Sequence, residues 1–303
     1  MDCFPDREVL GGAPFNVAWH LRALARQAGP SPVLVTRIGR DSRGQRVLGA
    51  LEDAGMSLEG IQQDSLHDTG IVQISLNQAG DQPSFTIPPD QAWDYINPDI
   101  ARMVALARRP GRIYFGTLAQ RGPSRQALRY LLTSSPAEGF LDVNLRDPWV
   151  REDVLRSSLK LARSVKLNDA ELTRIATLLG LEGSSDLDRG RALVRAFRLQ
   201  HLLVTRGAQG AWLLDKAGQL HETAADKAVD VVDSVGAGDA FAAVFLLGLE
   251  RQWPIPQTLD RAHEFAAALC GQRGAIPESA DFYTPFIEAW GLDDALPRKE
   301  ACP

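Results

Sequence analysis

The chain has 303 residues, of which 45% are apolar and 23% charged, and its formal net charge is −5 with histidine taken as neutral. This length and composition fit one large α/β domain or two ordinary ones, and they exclude a disordered chain, a collagen and a coiled coil. The acidic balance argues against a nucleic-acid partner, because contacts with phosphates require a basic face.

The three cysteines, Cys3, Cys270 and Cys302, are far apart in the sequence. They predict neither a disulfide framework nor a metal-ligand pair, so a reducing cytoplasm is the expected compartment. No run approaches 18 consecutive apolar residues, and the first 30 residues lack a signal-peptide pattern. We therefore expect neither a membrane protein nor a secreted one.

The chain begins with two predicted helices on either side of a short apolar run that is typical of a buried strand. The helices are predicted at residues 14–28 and 41–54, and the strand at residues 33–38. The pattern then changes, because residues 70–76 and 84–87 alternate apolar and polar side chains, with turn chemistry between them at residues 80–83. This alternation predicts a small antiparallel sheet inserted into another architecture.

Strands and helices alternate after residue 97, which argues for a parallel sheet with helices on both faces. Strands are predicted at residues 112–116, 139–143, 164–167 and 202–205, and helices at residues 98–108, 123–132, 151–160, 168–179 and 186–197. A hairpin-like stretch at residues 210–232 precedes two long helices at about residues 237–250 and 256–271. The predicted fold is a doubly wound α/β domain formed by residues 1–57 and 91–303, with residues 58–90 as a β insertion.

The most informative segment is Asp233-Ser-Val-Gly-Ala-Gly-Asp239, which leads into an apolar helix. Small residues at a helix start let backbone N–H groups approach an anion closely, and the helix adds a partial positive charge. A carboxylate at position 239 opposes an anion unless it takes a proton from a hydroxyl that attacks a bound phosphoryl group. On these residues alone, Asp239 is equally well an ordinary N-cap. The spacing matches neither a dinucleotide motif nor a Walker P-loop.

This segment resembles the C-terminal motif of the PfkB, or ribokinase-like, family of carbohydrate kinases. Four further motifs of that family occur in the expected order. They are Gly11-Gly-Ala-Pro-Phe-Asn-Val-Ala18, Gly39-Arg-Asp-Ser-Arg-Gly44, Asn168-Asp-Ala-Glu171 and Val204-Thr-Arg-Gly-Ala-Gln-Gly210. Each motif alone is of low specificity, but the ordered set spans residues 2–275 and favours Asp239 as a base.

The resemblance implies roles at the phosphoryl end of the site. Asp239 is expected to be the catalytic base, and Gly236, Ala237 and Gly238 to form the anion hole through their backbone N–H groups. Asp233 resembles a residue of the K⁺ loop found in part of the family, and Val235 replaces a hydroxyl residue of the clear K⁺-dependent members. K⁺ is therefore a further candidate cofactor beside ATP and Mg²⁺.

The resemblance also implies a nucleotide end. Asn168 and Glu171 are expected to organise Mg²⁺ and the phosphates, with Glu171 acting on the metal indirectly; the alternative is a solvent-facing Glu with an Asn N-cap. The other expected nucleotide contacts are Thr205, Arg206, Gly207, Gly210 and His263. His263 stands where the family often carries an Asn, and it either faces the nucleoside or is an ordinary helix residue.

At the sugar end, the resemblance implies that Asp2, Gly11, Gly12, Asn16 and Arg146 bind the substrate. Arg146 belongs to Asp142-Val-Asn-Leu-Arg146, which resembles a segment of fructokinases and 2-keto-3-deoxygluconate kinases. The insertion at residues 58–90 looks like the β lid of fructokinase-type members. Phe85 within it is expected to be ordinary packing. The free edge of such a lid suggests a homodimer.

The expected function is ATP-dependent phosphorylation of a sugar hydroxyl, with fructose as the first expected substrate. 2-Keto-3-deoxygluconate kinase, ribokinase and nucleoside kinase are alternatives within the family. A non-catalytic sugar-binding or regulatory protein is the alternative of a different class. A nicotinamide oxidoreductase lacks support, because no glycine-rich turn follows the first predicted strand.

The start of the chain carries a further expectation. Family members begin with a buried strand that ends in the aspartate matched here by Asp2, whereas this numbering starts at Met1. The first strand of a doubly wound sheet is usually central. We therefore expect a later-than-true start site or upstream residues outside this numbering, rather than a redesigned sheet. If the chain does begin at Met1, we expect a gap or rearranged pairing beside residues 33–38 and weak activity.

Overall fold

The computed structural model describes residues 1–25, 31–75, 84–223 and 231–293. The predicted turn at residues 80–83, the end of the first predicted helix and Cys302 lie outside these ranges. The chain divides into two compact units. The first unit comprises Met1–Pro14, Val33–Val204 and Leu213–Leu220, and the second comprises Phe15–Pro32, Thr205–Trp212 and His221–Pro303.

The helices agree closely with the sequence prediction. They are α1 Ala13–Ala25, α2 Ser42–Asp53, α3 Pro98–Arg108, α4 Ser124–Thr133, α5 Glu152–Leu161, α6 Asp169–Leu179, α7 Asp186–Phe197, α8 Ala237–Arg251, α9 Ile255–Cys270 and α10 Thr284–Trp290. Short 3₁₀ helices lie at Ala92–Tyr95, Leu118–Gln120, Gly207–Gln209 and Ala280–Tyr283. The sequence did not predict α10.

The largest sheet confirms the predicted α/β architecture. Its order is β12-β11-β10-β9-β8-β7, formed by β7 Arg112–Gly116, β8 Glu138–Asp142, β9 Ala162–Asn168, β10 His201–Thr205, β11 Ala211–Asp215 and β12 Leu220–Glu222. Strand β8 pairs in parallel with both β7 and β9. Helices α4 and α5 connect these strands, so the carboxyl ends of the three strands share one edge of the sheet.

A smaller four-stranded sheet has the order β2-β1-β5-β6. Its strands are β1 Asp2–Cys3, β2 Glu8–Val9, β5 Val72–Ser75 and β6 Ser84–Thr86. The β5–β6 pair is antiparallel, whereas β1 runs parallel to β5 and antiparallel to β2. The amino-terminal residues thus belong to this sheet, which the alternation in residues 70–87 did not predict. The division at residues 58–90 stays a prediction.

Strand β3, Thr36–Gly39, pairs in parallel with β4, Ile61–Asp64, in a separate sheet. Within the described ranges β3 pairs with no other named strand, and β7 is the terminal strand of the six-stranded sheet. The expectation about residues upstream of Met1 stays a prediction. Strand β4 was not predicted from the sequence.

The Gly39–Gly44 motif ties the end of β3 to the start of α2. Asp41 accepts the N–H of Gly44 at 2.7 Å and the N–H of Thr69 at 2.7 Å. The Thr69 hydroxyl in turn accepts the N–H of Gly39 at 2.9 Å. A Cβ atom at Gly44 would lie 2.1 Å from the Gly39 carbonyl oxygen. The motif therefore has a structural role in this chain, as an N-cap and a loop anchor.

Candidate active site

The amino terminus of α8 forms the predicted anion-binding turn. Gly236 is the N-cap and has a φ of 82°, a left-handed conformation that glycine adopts without strain. A Cβ atom at this position would lie 2.4 Å from the Cβ of Ala275, so a larger residue does not fit. Ala237, Gly238 and Asp239 form the first turn, where backbone N–H groups lack intrahelical acceptors. This geometry suits an anion.

Asp239 lies in the third helical position of α8 and is therefore not the N-cap. Its Oδ2 accepts a hydrogen bond of 2.7 Å from Nδ2 of Asn16, which lies on α1. Asn16 is buried, and its Oδ1 accepts no hydrogen bond within the described residues. A general base must be positioned, and the bond from Asn16 orients the Asp239 carboxylate. The second unit thus brings together one predicted base and one predicted sugar residue.

Asp233 connects the turn before α8 to the segment after α9. Its Oδ1 accepts the N–H of Val235 at 3.0 Å, and its Oδ2 accepts the N–H of Gly274 at 2.9 Å. The carbonyl of Cys270 accepts the backbone N–H groups of Val232 and Asp233. These bonds hold residues 232–236 against residues 270–275.

His20 and Tyr283 support the same segment, and sequence reasoning missed both. Nε2 of His20 donates to the carbonyl of Ala275 at 3.0 Å, and its Nδ1 accepts the Tyr283 hydroxyl at 3.0 Å; the carbonyl can only accept, which fixes this tautomer. Burial lowers the pKa of His20 to about 4, while the bond to Ala275 acts in the opposite direction. The available signal was the spacing, because His20 lies one turn after Asn16 on α1.

Four predicted nucleotide residues of the second unit lie in or beside a tight turn at the end of β10: Thr205, Arg206, Gly207 and Gly210. The N–H of Arg206 donates to the carbonyl of Gly210 at 2.8 Å, and the N–H of Gly210 donates to Gly207 at 3.1 Å. The Arg206 guanidinium lies 3.5 Å from Glu222, a partner that the sequence did not indicate. Thr205 ends β10. His263 lies buried on α9. Burial is compatible both with a contact to the nucleoside and with an ordinary helix residue.

In the first unit, Asn168 and Glu171 form a capping box at the start of α6. Oδ1 of Asn168 accepts the N–H of Glu171 at 2.8 Å, and Oε2 of Glu171 accepts the N–H of Asn168 at 3.0 Å. Oε1 of Glu171 also accepts the N–H of Leu145 at 2.7 Å. Burial raises the pKa of Glu171, and these two amide bonds oppose the shift.

A buried ion pair lies beside this cap, at the ends of β8 and β9. Nζ of Lys166 donates to both carboxylate oxygens of Asp142, at 3.0 and 2.9 Å. The Tyr114 hydroxyl donates to Oδ2 of Asp142 at 3.1 Å. The exposed fractions are 2% for Asp142 and 5% for Lys166. Sequence reasoning missed Lys166 and Tyr114, although a lysine within the apolar run at residues 164–167 was a signal that it has a buried partner.

The first unit groups several predicted sugar residues. The Asp2 carboxylate lies against Gly11, where an added Cβ would approach Oδ2 to 2.1 Å. Burial raises the pKa of Asp2, and the amino terminus and Arg146 oppose the shift. The Arg146 guanidinium lies 5.6 Å from the ring centre of Phe85. Gly12 follows with a φ of 113°. Asn16, by contrast, belongs to the second unit and contacts Asp239.

Residues 6–281 match the model of the pfkB family of carbohydrate kinases. The chain belongs to this family. Kinases of this family are phosphotransferases, which is the reaction class expected from the sequence. The chain is 32% identical to a fructokinase of Escherichia coli over 261 residues, which cover 79% of this chain and 76% of that protein.

Solved structures agree with the fold of the kinase. The fructokinase of Xylella fastidiosa with bound ATP superposes with a TM-score of 0.79 at 22% identity, covering 96% of each chain. A nucleoside kinase of Burkholderia thailandensis in complex with inosine gives a TM-score of 0.72 at 20% identity, covering 94% of this chain and 86% of that one. These likenesses confirm the ribokinase-like α/β fold.

The donor set of the kinase suits a metal that arrives with the nucleotide. Across the described ranges, no group of three or more His, Cys, Asp or Glu side chains could hold a metal ion. Mg²⁺ commonly keeps several waters and binds one or two carboxylates together with substrate phosphates. Glu171, whose two oxygens each accept one backbone N–H, is a carboxylate of this kind. Among the helices of the described ranges, none has the length and apolar character needed to span a membrane.

Proposed function

We propose that this chain is an ATP- and Mg²⁺-dependent kinase of fructose. The observation that carries the proposal is the placement of Asp239 in the first turn of α8, directly behind the Gly236 turn, with Asn16 bonded to its carboxylate. A base in this position takes the proton of a sugar hydroxyl as that oxygen attacks the γ-phosphoryl group of ATP.

The anion hole is assigned to Gly236, Ala237 and Gly238. Phosphoryl transfer depends chiefly on positioning and on the stabilisation of charge on the phosphoryl oxygens. Backbone N–H groups at a helix start supply both without any proton transfer. The Asp233 bonds to Val235 and Gly274 support this assignment, because they hold the turn before the transition state forms.

The nucleotide is assigned to the residues expected from the family motifs. Bound Mg²⁺ supplies neutralisation of the phosphate charges. Glu171 would act on the metal indirectly, through water, since each of its oxygens accepts a backbone N–H and keeps one further lone pair for a water molecule. The assigned nucleotide residues are Asn168, Glu171, Thr205, Arg206, Gly207, Gly210 and His263. Arg206 exchanges its 3.5 Å contact with Glu222 for a phosphate oxygen.

K⁺ has less support than Mg²⁺. Two carbonyls at and after the end of α9 already accept hydrogen bonds, since that of Cys270 accepts two N–H groups and that of Ala275 accepts His20. Both oxygens of Asp233 likewise accept backbone N–H groups. We therefore assign no step to K⁺.

Fructose is proposed because the relative at 32% identity is a fructokinase. In addition, the assigned sugar residues include an acidic side chain, Asp2, and a basic one, Arg146. The assigned residues are Asp2, Gly11, Gly12, Asn16 and Arg146. Residues 58–90 are proposed to act as a lid that excludes water from the reaction. Among the residues that the structure describes, β6 is the terminal strand of its sheet, and such an edge could pair with a second copy of the chain, so a homodimer is part of the proposal.

A substrate panel tests the proposal. ADP release is measured with fructose, 2-keto-3-deoxygluconate, ribose, adenosine and inosine, with and without Mg²⁺. We expect the highest kcat/KM for fructose and no turnover without Mg²⁺. Preference for another acceptor would move the chain to a different specificity within the family. Sugar binding without turnover on any acceptor would instead indicate a non-catalytic protein.

A further inference from the structure

The segment Asp142–Trp149, which we call the sugar segment, leaves the sheet at the end of β8 and carries Arg146. Val143 still donates its N–H to the carbonyl of Lys166 in the neighbouring strand. Asn144 then adopts a left-handed conformation with a φ of 43°, which is uncommon for a residue other than glycine. A backbone in this conformation persists only where its surroundings fix it.

Helix α6 fixes the sugar segment at two points. Oε1 of Glu171 accepts the N–H of Leu145 at 2.7 Å, directly after Asn144 and directly before Arg146. Three residues further along the same helix face, Arg174 pairs with the Asp147 carboxylate at 2.7 and 2.9 Å. The first attachment is partly buried and uses a backbone N–H, whereas the second is an exposed ion pair.

The other end of the sugar segment contacts residue 87, just after β6 and within the proposed lid. Nε1 of Trp149 donates to the carbonyl of Ile87 at 3.2 Å, just after β6 ends. Arg146 lies over Phe85 of β6. The guanidinium of Arg146 has no hydrogen bond within the described residues, so its position depends on the backbone that carries it.

We propose that Glu171 is a positioning residue for the sugar: by accepting the Leu145 N–H, it holds the sugar segment so that Arg146 is placed for substrate binding. The inference rests on the proposed function and adds a second role to a residue assigned to the nucleotide side. One oxygen of the Glu171 carboxylate accepts the Asn168 N–H in the α6 cap, and the other accepts the Leu145 N–H of the sugar segment. A single side chain therefore connects the proposed nucleotide residues with the proposed sugar residues. Removing it releases the sugar segment even when no nucleotide is present.

Fructose affinity without ATP or Mg²⁺ distinguishes this role from a role on the metal. The variants are Glu171→Gln, which offers one acceptor oxygen instead of two, and Glu171→Asp, which keeps the charge but is one methylene shorter. The control is Asp169→Asn, which removes a carboxylate from the same helical turn; Asp169 bonds the N–H of Ala170 and not the sugar segment. Calorimetry measures fructose binding, and hydrogen exchange measures protection of the Leu145 amide in the free protein.

We expect the Glu171 variants to lose both fructose affinity and protection of the Leu145 amide. The loss of one such hydrogen bond corresponds to roughly threefold to tenfold weaker fructose binding, and the Leu145 amide should exchange roughly tenfold faster. Asp169→Asn should stay close to the wild type in both measurements. Thermal unfolding of each variant reports whether the fold is intact. In Glu171→Asp, whose shorter side chain draws the carboxylate away from the Leu145 N–H, protection and affinity should fall together.

Two results would overturn the inference. One is unchanged fructose affinity in a variant that has lost Leu145 protection, and the other is weakened affinity with protection intact. Failure of the proposed function looks different, because the wild type itself would then neither bind nor phosphorylate fructose.

Discussion

The two units hold their candidate residues in different ways. In the first unit, Asp142, Lys166 and Glu171 place two negative charges and one positive charge in buried surroundings. In the second unit, the support around Gly236 and Ala275 consists of backbone bonds, of the Asp233 carboxylate accepting two backbone N–H groups, and of a neutral histidine, with no side-chain ion pair among these bonds. The first arrangement depends on charges remaining paired, whereas the second depends on His20 remaining uncharged.

This difference has a physical consequence for each unit. A buried charge that loses its partner keeps its full desolvation cost, so a charge-paired region is sensitive to the removal of either partner. A region that is fixed by hydrogen bonds to backbone groups, from Asp233 and a neutral histidine, is sensitive to shape and to the protonation of the histidine instead. Substitutions can therefore test the two regions separately.

The largest expected effect is on turnover, from Asp239→Asn. The amide keeps the volume and can still accept the bond from Asn16, but it cannot take a proton. Loss of a general base typically lowers the rate by about 10²–10⁴. Steady-state kinetics with fructose measures kcat, and thermal unfolding confirms that the fold is intact. A kcat within a few-fold of the wild type would contradict the assignment of Asp239.

The next effect is on the stability of the first unit, from Lys166→Met. The change leaves the Asp142 carboxylate buried, with the Tyr114 hydroxyl as its remaining neutral partner among the bonds described above. Breaking a buried pair in this way costs about 3–5 kcal/mol in the free energy of unfolding. Urea denaturation measures it.

The matched control combines Lys166→Met with Asp142→Asn. Removing both charges should recover most of the lost stability, because no uncompensated charge then remains buried. If the double variant is as unstable as the single one, packing rather than charge holds this part of the first unit together.

The third effect is a pH dependence in the second unit. Burial holds the pKa of His20 at about 4 in the folded chain, against an ordinary value of 6.5. As the pH falls below 6.5, the unfolded chain takes up a proton that the folded chain does not, so stability is lost between pH 6.5 and about pH 4. The full difference corresponds to roughly 3 kcal/mol.

His20→Gln removes the titrating group and is the matched comparison. Urea denaturation at a series of pH values should show the wild type losing stability relative to this variant as the pH falls through that window. Parallel pH profiles for the two proteins would mean that the histidine titrates normally and that the neutral support described for Ala275 is wrong.

The sequence predicted those elements whose signals are local. Helix α3 was predicted at its observed bounds, because Asn97 caps it and Pro98 begins it. Strand β4 was missed because Ile61–Asp64 has one apolar residue, and its buried Gln62 and Asp64 are satisfied by Asn97 and Arg37. Polar residues with distant partners look like a loop in a periodicity analysis.

The same reasoning explains what was found and missed in the candidate site. The Gly236–Asp239 turn was predictable because its residues are contiguous and its chemistry is specific. His20 and Lys166 were missed because their partners lie 255 or more and 24 residues away, respectively. The Leu145 bond to Glu171 was not predictable either, since a backbone N–H leaves no mark in the sequence.

The smallest expected effect comes from the exposed attachment of the sugar segment, tested by Asp147→Asn. Arg174 lowers the pKa of Asp147 through a two-fold hydrogen bond, but both side chains are largely in solvent, where water and salt screen the pair. The free energy of unfolding should therefore change by less than about 1 kcal/mol. Hydrogen exchange at Leu145 should stay at the wild-type rate, because the Glu171 attachment is unaffected. Faster exchange at Leu145 in this variant would show that the exposed ion pair, and not the partly buried carboxylate, holds the sugar segment in place.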